Sequence, residues 1–218
     1  MLEEGCELEL LAEPLFMQWI LKVLGGKPRL QDWENRAASP TVEEGPRPRD
    51  NRDCFEREVA KEALGVPEQG GPHQRVAKSI MAYEIFPPEV VSPVLHRSPI
   101  QVGDTVGILF HFLPGVDLFC GAIVLECFDE ARDEIWRTGF KYRTLSGHPE
   151  LGEETFSVEK NMNTGTVVVA LRSWSRAGTW LTWLAWPYTR YSQIRANKSA
   201  LAYLAMVAAQ KVSLSKLN

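Results

Sequence analysis

Between Val102 and Ser175 five runs rich in β-branched and aromatic residues alternate with short polar breaks. The runs are "VGDTVGILFHFL", "LFCGAIVLECF", "EIWRTGFKYRTL", "ETFSVEKN" and "TVVVALRSWS", and the breaks are "PG", "DEARDE", "SGHPELGE" and "NMNTG". Breaks this short leave no room for the crossover that parallel neighbours need, so successive runs pair as an antiparallel meander. Such a sheet has one apolar face to cover. The tail from Thr179 to Ala209 is helical in composition, with Pro187 kinking it or opening its second half. The expected class is α+β, a curved antiparallel sheet wrapped on a long C-terminal helix.

Upstream, "PHQRVAKSIMAYEIFPP" places Val76, Ile80 and Tyr83 at helical spacing before Pro87 and Pro88 stop the pattern. A short second helix is expected in "EVVSPVL". "CFEREVAKEAL" is ambiguous, since Phe55, Arg57 and Val59 alternate as in a strand while Glu and Ala favour a helix. Residues 8–24 are apolar with few breaks and suggest a short helix that must dock on something. Residues 36–53 are rich in Pro, Gly and charge and read as a linker. The chain is thus divided into an N-terminal extension (1–52), a main domain (53–210) and a tail (211–218).

Composition narrows the setting. The 218 residues are 44% hydrophobic and 24% charged, as in one ordinary globular domain. No uncharged apolar run reaches the length of about 18 residues that a membrane span needs. The start, "MLEEGCELELL", is acidic and a poor secretory or transit signal. Cys6, Cys54, Cys120 and Cys127 show neither a CxxC nor a spacing suited to zinc. A soluble protein of a reducing compartment, cytoplasmic or organellar, is expected, with no metal and no cofactor.

Charge is divided unevenly along the chain. All 28 acids lie in residues 1–159, with 16 of the 24 Lys and Arg; residues 160–218 carry eight bases and no acid. That basic quarter also carries Trp174, Trp180, Trp183 and Trp186. Either its bases pair with the acidic remainder, or they form a surface for anionic ligands or lipid headgroups, with peripheral membrane contact. Nucleic acid is not an expected partner. His111, within "ILFHFL", reads as a packed strand histidine.

Strand alternation selects candidate site residues. In "EIWRTGFKYRT" the even positions Trp136, Thr138, Phe140, Tyr142 and Thr144 face inward, because Arg137, Lys141 and Arg143 occupy the other face. In "EETFSVEK", Phe156 and Val158 point inward and carry Glu154 with them. A buried lone carboxylate costs several kcal/mol unless it is paired. Glu154 therefore requires a cation or several donors, or stays protonated. In one reading Tyr142, His148 and Glu154 meet the polar head of a ligand. In the other, loop amides and an Arg satisfy Glu154, and His148–Pro149 shapes the turn. Ser173 and Ser175 share the inward face of the last strand, and Arg176 is a candidate bidentate partner for Glu154 across the sheet edge. No nucleophile elbow, P-loop, dinucleotide fingerprint or zinc-protease motif occurs, so no reaction is assigned.

The run "GFKYRTLSGHPELGEETFSVE", followed by "TGTVVVALRSWSRAG" and "WPYTRYSQIR", closely resembles an uncharacterised bacterial and plant family catalogued as domain of unknown function nineteen-ninety. The matching residues are Tyr142, Thr144, Leu145, Gly147, His148, Pro149, Gly152, Glu153, Glu154 and Phe156, then Ser175, Arg176, Pro187 and Gln193. Ala177 stands where that pattern commonly has Pro, and residues 1–50 match nothing in it. The family is similar to START-like helix-grip proteins, whose sheet grips a long helix around an apolar cavity. The resemblance implies a small hydrophobic or lipid-like ligand, walled by Phe110, Phe112, Trp136, Phe140, Phe156 and the C-terminal helix. The expected ligand-binding residues are Tyr142, Thr144, His148, Glu154, Phe156, Ser175 and Arg176. Two other expectations stand beside it: an enzyme using Glu154 or His148 in acid–base chemistry, and an interaction scaffold with a filled core.

Overall fold

The structure is a computed structural model and describes residues 29–40, 50–113, 116–177 and 186–210. Seven strands form one curved antiparallel sheet: β1 (Asn51–Lys61), β2 (Val91–Val94), β3 (Thr105–Leu113), β4 (Val116–Arg132), β5 (Ile135–Thr144), β6 (Glu150–Asn161) and β7 (Thr166–Ala177). Their spatial order is β1-β7-β6-β5-β4-β3-β2, so the meander from β2 to β7 is closed by the first strand at its far edge. Registers shift between Val124 and Glu126 in β4 and between Glu58 and Ala60 in β1. Irregularities of this kind bend long strands, and they let the 17-residue β4 follow the curve.

Two helices cover the concave face. In α1 (Pro72–Met81), Val76 and Ile80 are buried at the spacing expected of an amphipathic helix, and buried Tyr83 follows its end. Tyr83 takes a left-handed backbone conformation (φ 56°) that ends the helix well before Pro87. The second helix, α2 (Trp186–Ala209), has Pro187 in its first turn, where a missing N–H costs no helical bond. It buries Ala196, Ala200, Leu201, Leu204 and Ala208. α1 packs on β5, β6 and β1, while α2 packs on β1, β7 and α1. The strand parities read from the sequence hold: Phe140 and Tyr142 in β5, Phe156 and Val158 in β6, and Val167, Val169 and Leu171 in β7 are all buried.

Three local readings are corrected or resolved. "VSPV" is the edge strand β2 and not a helix; at an edge Pro93 removes no bond from the interior of the sheet. The ambiguous "CFEREVAK" lies in β1. Part of the segment read as a linker is anchored: Ser39 N–H donates to the Thr144 carbonyl (2.9 Å), Ser146 N–H to that of Ala37 (2.8 Å), and β1 begins at Asn51. Residues 8–24, Trp180 and Trp183 lie outside the described residues, as does the Trp186 side chain. On the convex face, Trp33 is buried edge-on against Phe119, over Gly121, where a Cβ would stand 2.8 Å from the indole. His111 bonds Ser92 and Asp117, each at 3.0 Å, and so ties β2, β3 and β4 together on that side.

The uneven charge distribution is met by pairing. Lys160, Arg172, Arg176 and Arg190 pair with Glu62, Glu56 and Glu159, Asp50, and Asp53 respectively. Among the described residues no helix is long and apolar enough to cross a membrane. The deepest pair is Lys160–Glu62, at 2.9 Å with both side chains fully enclosed. Lys160 sits on the inward face of β6, among apolar neighbours. Its ammonium also donates to the Val66 carbonyl (2.9 Å), and Glu62 accepts the amides of His73 (2.7 Å) and Glu68 (3.1 Å). Burial pushes the Glu62 carboxyl up, but the His73 amide, Lys160 and the Glu68 amide outweigh it and hold it below its ordinary value. This pair fastens the start of α1 to β6. Lys160→Met leaves an uncompensated buried carboxylate and is expected to destabilise the protein by about 3–5 kcal/mol. Urea unfolding near neutral pH checks this; a loss under about 1 kcal/mol would show that the amides suffice for Glu62.

Candidate functional site

The turn between β5 and β6 builds the polar end of a cavity. Thr144 Oγ1 accepts the Gly152 N–H (3.0 Å) and bonds Ser39 Oγ (2.9 Å), closing the turn from its two ends. Within it Gly147 has φ 91°, a conformation open to glycine at little cost. His148 N–H donates to the Leu145 carbonyl, and its Nδ1 accepts the Glu150 N–H, each at 3.0 Å. That acceptor role leaves the ring proton of neutral His148 on Nε2. Burial lowers this imidazole to about 4, so it is neutral at physiological pH. At Gly152 a Cβ would stand 2.1 Å from the Trp174 carbonyl oxygen. The chain can carry no side chain where β6 passes β7 this closely.

The cavity, of about 190 Å³, lies between the concave face, Tyr83 and α2. Phe86, Val91, Ile108, Phe110, Leu118 and Cys120 supply its apolar wall. Its polar end gathers Tyr142, Thr144, His148, Glu150, Glu154, Ser173, Ser175 and Asp53 from the sheet side, with Ser192, Gln193 and Asn197 from α2. No Lys or Arg is among these lining residues.

Adjacent glutamates of β6 meet opposite fates because strand parity separates them. Glu153 faces outward, where Arg143 holds it at 2.7 Å and Lys141 pairs with it as well. Burial alone would raise its carboxyl, but the two cations hold it below the ordinary range. Glu154 faces the cavity. Its hydrogen-bond partner among the described residues is the Tyr142 hydroxyl, which donates at 2.8 Å. Burial pushes Glu154 up to about 7, opposed by that hydroxyl and reinforced by the charge of Asp53. Glu150, on the same face, is also pushed up to about 7, by burial first and then by Glu154, against the pull of Arg190 and a bond from Gln193. Arg190 is itself bound to both oxygens of Asp53. Tyr142 and Tyr83 are held well above the ordinary phenol range, by burial and then by the Glu154 charge.

Tyr142, Thr144, His148, Glu154 and Ser175 thus come together around one space. Phe156 stands behind it, in a cluster with Phe140 at 5.3 Å, Tyr142 at 5.6 Å and Tyr83 at 6.0 Å. Of the other expected wall residues, Phe110 lines the cavity, Phe140 belongs to that cluster and Trp136 bonds Asp129 at the far end of β5. The Phe112 side chain lies outside the described residues. Arg176 pairs with Asp50 at 2.9 Å, so the expected bidentate pair with Glu154 gives way to one at the sheet edge. The register explains this: Arg176 stands opposite Leu151, whereas Glu154 stands opposite Ser173. Asp53, Glu150, Gln193 and Asn197 were not among the expected site residues. Glu150 shares the parity of Glu154, a signal that becomes readable once β6 is known to begin at Glu150 and not after the turn.

The raised carboxyl has a stability signature. Unfolded, Glu154 ionises near about 4.3; folded, it does so near 7. Between those values the native state keeps a proton that the unfolded chain has released. Stability therefore falls as pH rises through this window and levels off above it. Glu154→Gln keeps an acceptor for Tyr142 and removes the ionisation. It is expected to be more stable than the parent at about pH 8, by on the order of 3 kcal/mol, with the gap closing towards about pH 5. Urea titrations at both pH values check this, and a Gln variant that is destabilised at both would mark Glu154 as an ionised structural acceptor.

A family model described as "Domain of unknown function (DUF1990)" matches residues 39–203. A UPF0548 protein of Dictyostelium discoideum is similar, 31% identical over 127 residues, which are 55% of this chain and 58% of that protein; the chain thus spans less than two thirds of that relative. Among solved structures, a norcoclaurine synthase point mutant from Thalictrum flavum, in complex with a transition-state analogue, is 13% identical, with a TM-score of 0.47 over 74% of this chain and 97% of that one. Ginseng major latex-like protein 151 from Panax ginseng is 11% identical, with a TM-score of 0.47 over 74% and 99%. With residues 39–203 of 218 matched, including the whole turn from Tyr142 to Phe156, the chain belongs to the DUF1990 family.

Proposed function

We propose that this protein binds a small, largely apolar molecule with one polar end, seated in the cavity with that end towards Tyr142, His148 and Glu154. The observation that carries the proposal is Glu154 itself: an inward carboxyl beside an apolar wall, with one hydrogen-bond partner among the described residues. Carboxylates buried for structural reasons are normally saturated with donors or cations, as Glu62 and Glu153 are here. The size supports a compact ligand. A dry cavity of about 150 Å³ holds benzene, and drug-sized sites begin near about 300 Å³, so about ten non-hydrogen atoms suit this one. An interior of this volume weighs against a scaffold with a filled core.

A second reading uses the same carboxyl. A group that titrates near neutrality can both accept and donate a proton, which favours Glu154 over His148 as a general acid–base. Peripheral membrane contact has narrower support: Arg195 and Lys198 are exposed on α2, while four other bases of the basic quarter already have carboxylate partners.

Binding is tested by native purification, solvent extraction and mass spectrometry of the extract, with Ala196→Phe as the paired variant. Ala196 is a buried cavity-lining residue of α2, and a phenyl ring there occupies the ligand's space. An apolar molecule is expected in the parent extract and at least about tenfold less in the variant, at unchanged far-UV circular dichroism. Empty extracts from both, with Ala196→Phe more stable than the parent, would mark the cavity as a packing void.

A further inference from the structure

The polar end of the cavity is unbalanced in charge and in hydrogen bonding. Glu154 and Glu150 face it, and the one cation acting on either among the described residues, Arg190, is engaged by both oxygens of Asp53. Around these carboxyls stand polar groups with bonding capacity unused among the described residues. Ser175 and Asn197 are each only 9% exposed, both line the cavity, and neither side chain bonds any described residue. Gln193 spends its amide N–H on Glu150, which leaves its Oε1 buried without a partner. Native proteins rarely leave buried polar side chains unmet, and several around one space point to a group that binds there. The acceptors here are two carboxyls, the Gln193 carbonyl, the Asn197 carbonyl and the Ser175 hydroxyl; the donors beside them, on Asn197, Ser175 and His148 Nε2, are all neutral, whereas the carboxyls carry the charge.

We propose that the ligand's polar end is a protonated amine, received by Glu154 with Glu150 as a second carboxylate facing the same space. The inference rests on the ligand-binding reading above and names the head group. An ammonium offers three donors to the carboxyls and carbonyls of this set, whereas an alcohol offers one donor and a carboxylate none. It also supplies the positive charge that Glu154 lacks, so two charges enter the low-dielectric site together. Tyr142 adds orientation. Its hydroxyl donates to one oxygen of Glu154, which leaves the other to accept from the ligand.

The charged groups facing the Glu154–Glu150 pair are Asp53 on β1 and, at Glu150, Arg190 on α2, together with the neutral His148 of the turn and the phenols Tyr142 and Tyr83. Burial raises both Glu150 and Glu154 to about 7. Alkyl amines stay protonated well above that, near the lysine value of about 10.4. Amine affinity therefore rises as pH goes from about 6 to about 8, as both carboxyls ionise, and then levels off.

The test is calorimetric titration of the whole protein with three probes of matched size: 3-phenylpropylamine, 3-phenylpropan-1-ol and 3-phenylpropionate. The amine is expected to bind at least about tenfold more tightly than the alcohol at about pH 8, and the carboxylate most weakly. The amine's advantage shrinks at about pH 6. Glu154→Gln, which keeps the Tyr142 bond, is expected to reduce the amine-to-alcohol ratio to within about twofold. Alcohol or carboxylate binding as tightly as the amine overturns the amine inference and leaves the cavity reading standing. An amine preference that ignores both pH and Glu154→Gln also overturns it. If none of the three binds at millimolar concentration, the ligand-binding reading fails and this inference falls with it.

Discussion

A strongly curved sheet has a concave face too wide for one helix to seal, and the two helices here divide that work unequally. α1 is drawn onto β5 and β6 at its start by the enclosed Lys160–Glu62 pair, and Val76, Ile80 and Tyr83 fill the space beneath it. α2 lies towards the opposite edge, on β1 and β7. Between them, under the start of β6 and the end of β7, the described residues of α2 present short and polar side chains. Ala196, Ser192, Gln193 and Asn197 face that gap from α2, and serines face it from β7. The cavity follows from the choice of short and polar residues where the covering helices diverge.

Its chemistry follows from a single parity. Glu153 and Glu154 differ by one position, and that step moves a carboxyl from two cations at the surface to a phenol in the interior. The covalent groups are identical, and their ionisation is displaced in opposite directions. Gly152 fixes the parity. It occupies the point where β6 passes the Trp174 carbonyl too closely for a Cβ, and the Thr144 hydroxyl locks its amide. A slip of one residue would place Glu153 in the cavity and expose Phe156, with the loss of its contacts to Phe140 and Tyr83. The aromatic cluster is thus the anchor that keeps Glu154 inside.

Much of this was legible in the sequence, for reasons of period. Alternation in β5, β6 and β7 gave the inward faces, and with them Tyr142, Thr144, Glu154 and Ser175. The helical spacing of Val76, Ile80 and Tyr83 gave α1. Edges were harder. β2 has four residues, one of them proline, and nothing local separates that from a helical turn. β1 pairs with β7, more than a hundred residues away, so its strand character is settled by tertiary contact. The same non-locality hid Asp53, which enters the site only because β1 closes the sheet. Glu150 was hidden by a boundary: a turn full of Gly, Pro and Ser reads as loop until the Thr144–Gly152 bond starts the strand early. The partner expected for Glu154 was misread for a related cause. A strand-end arginine can turn to either side of a sheet, and Asp50 beside Asn51 offered Arg176 a largely buried carboxylate partner at the edge.

The division of charge along the sequence connects these observations. A final quarter without acids can neutralise its bases only by reaching back to earlier strands, so each ion pair it forms is a long-range constraint. Arg172 bridges Glu56 of β1 and Glu159 of β6 across β7, Arg176 holds Asp50 before β1, and Arg190 clamps α2 to Asp53. The last of these has a consequence inside the cavity. Arg190 is near enough to lower Glu150, and it would be the natural counter-ion for the inward carboxyls. Asp53 engages both of its terminal nitrogens first, with the fork geometry that favours a bidentate pair. The interaction that secures α2 to the sheet is therefore also the one that, among the described residues, leaves Glu150 and Glu154 without a cation of their own. Fold stability and an unfilled electrostatic demand at the polar end of the cavity come from one contact.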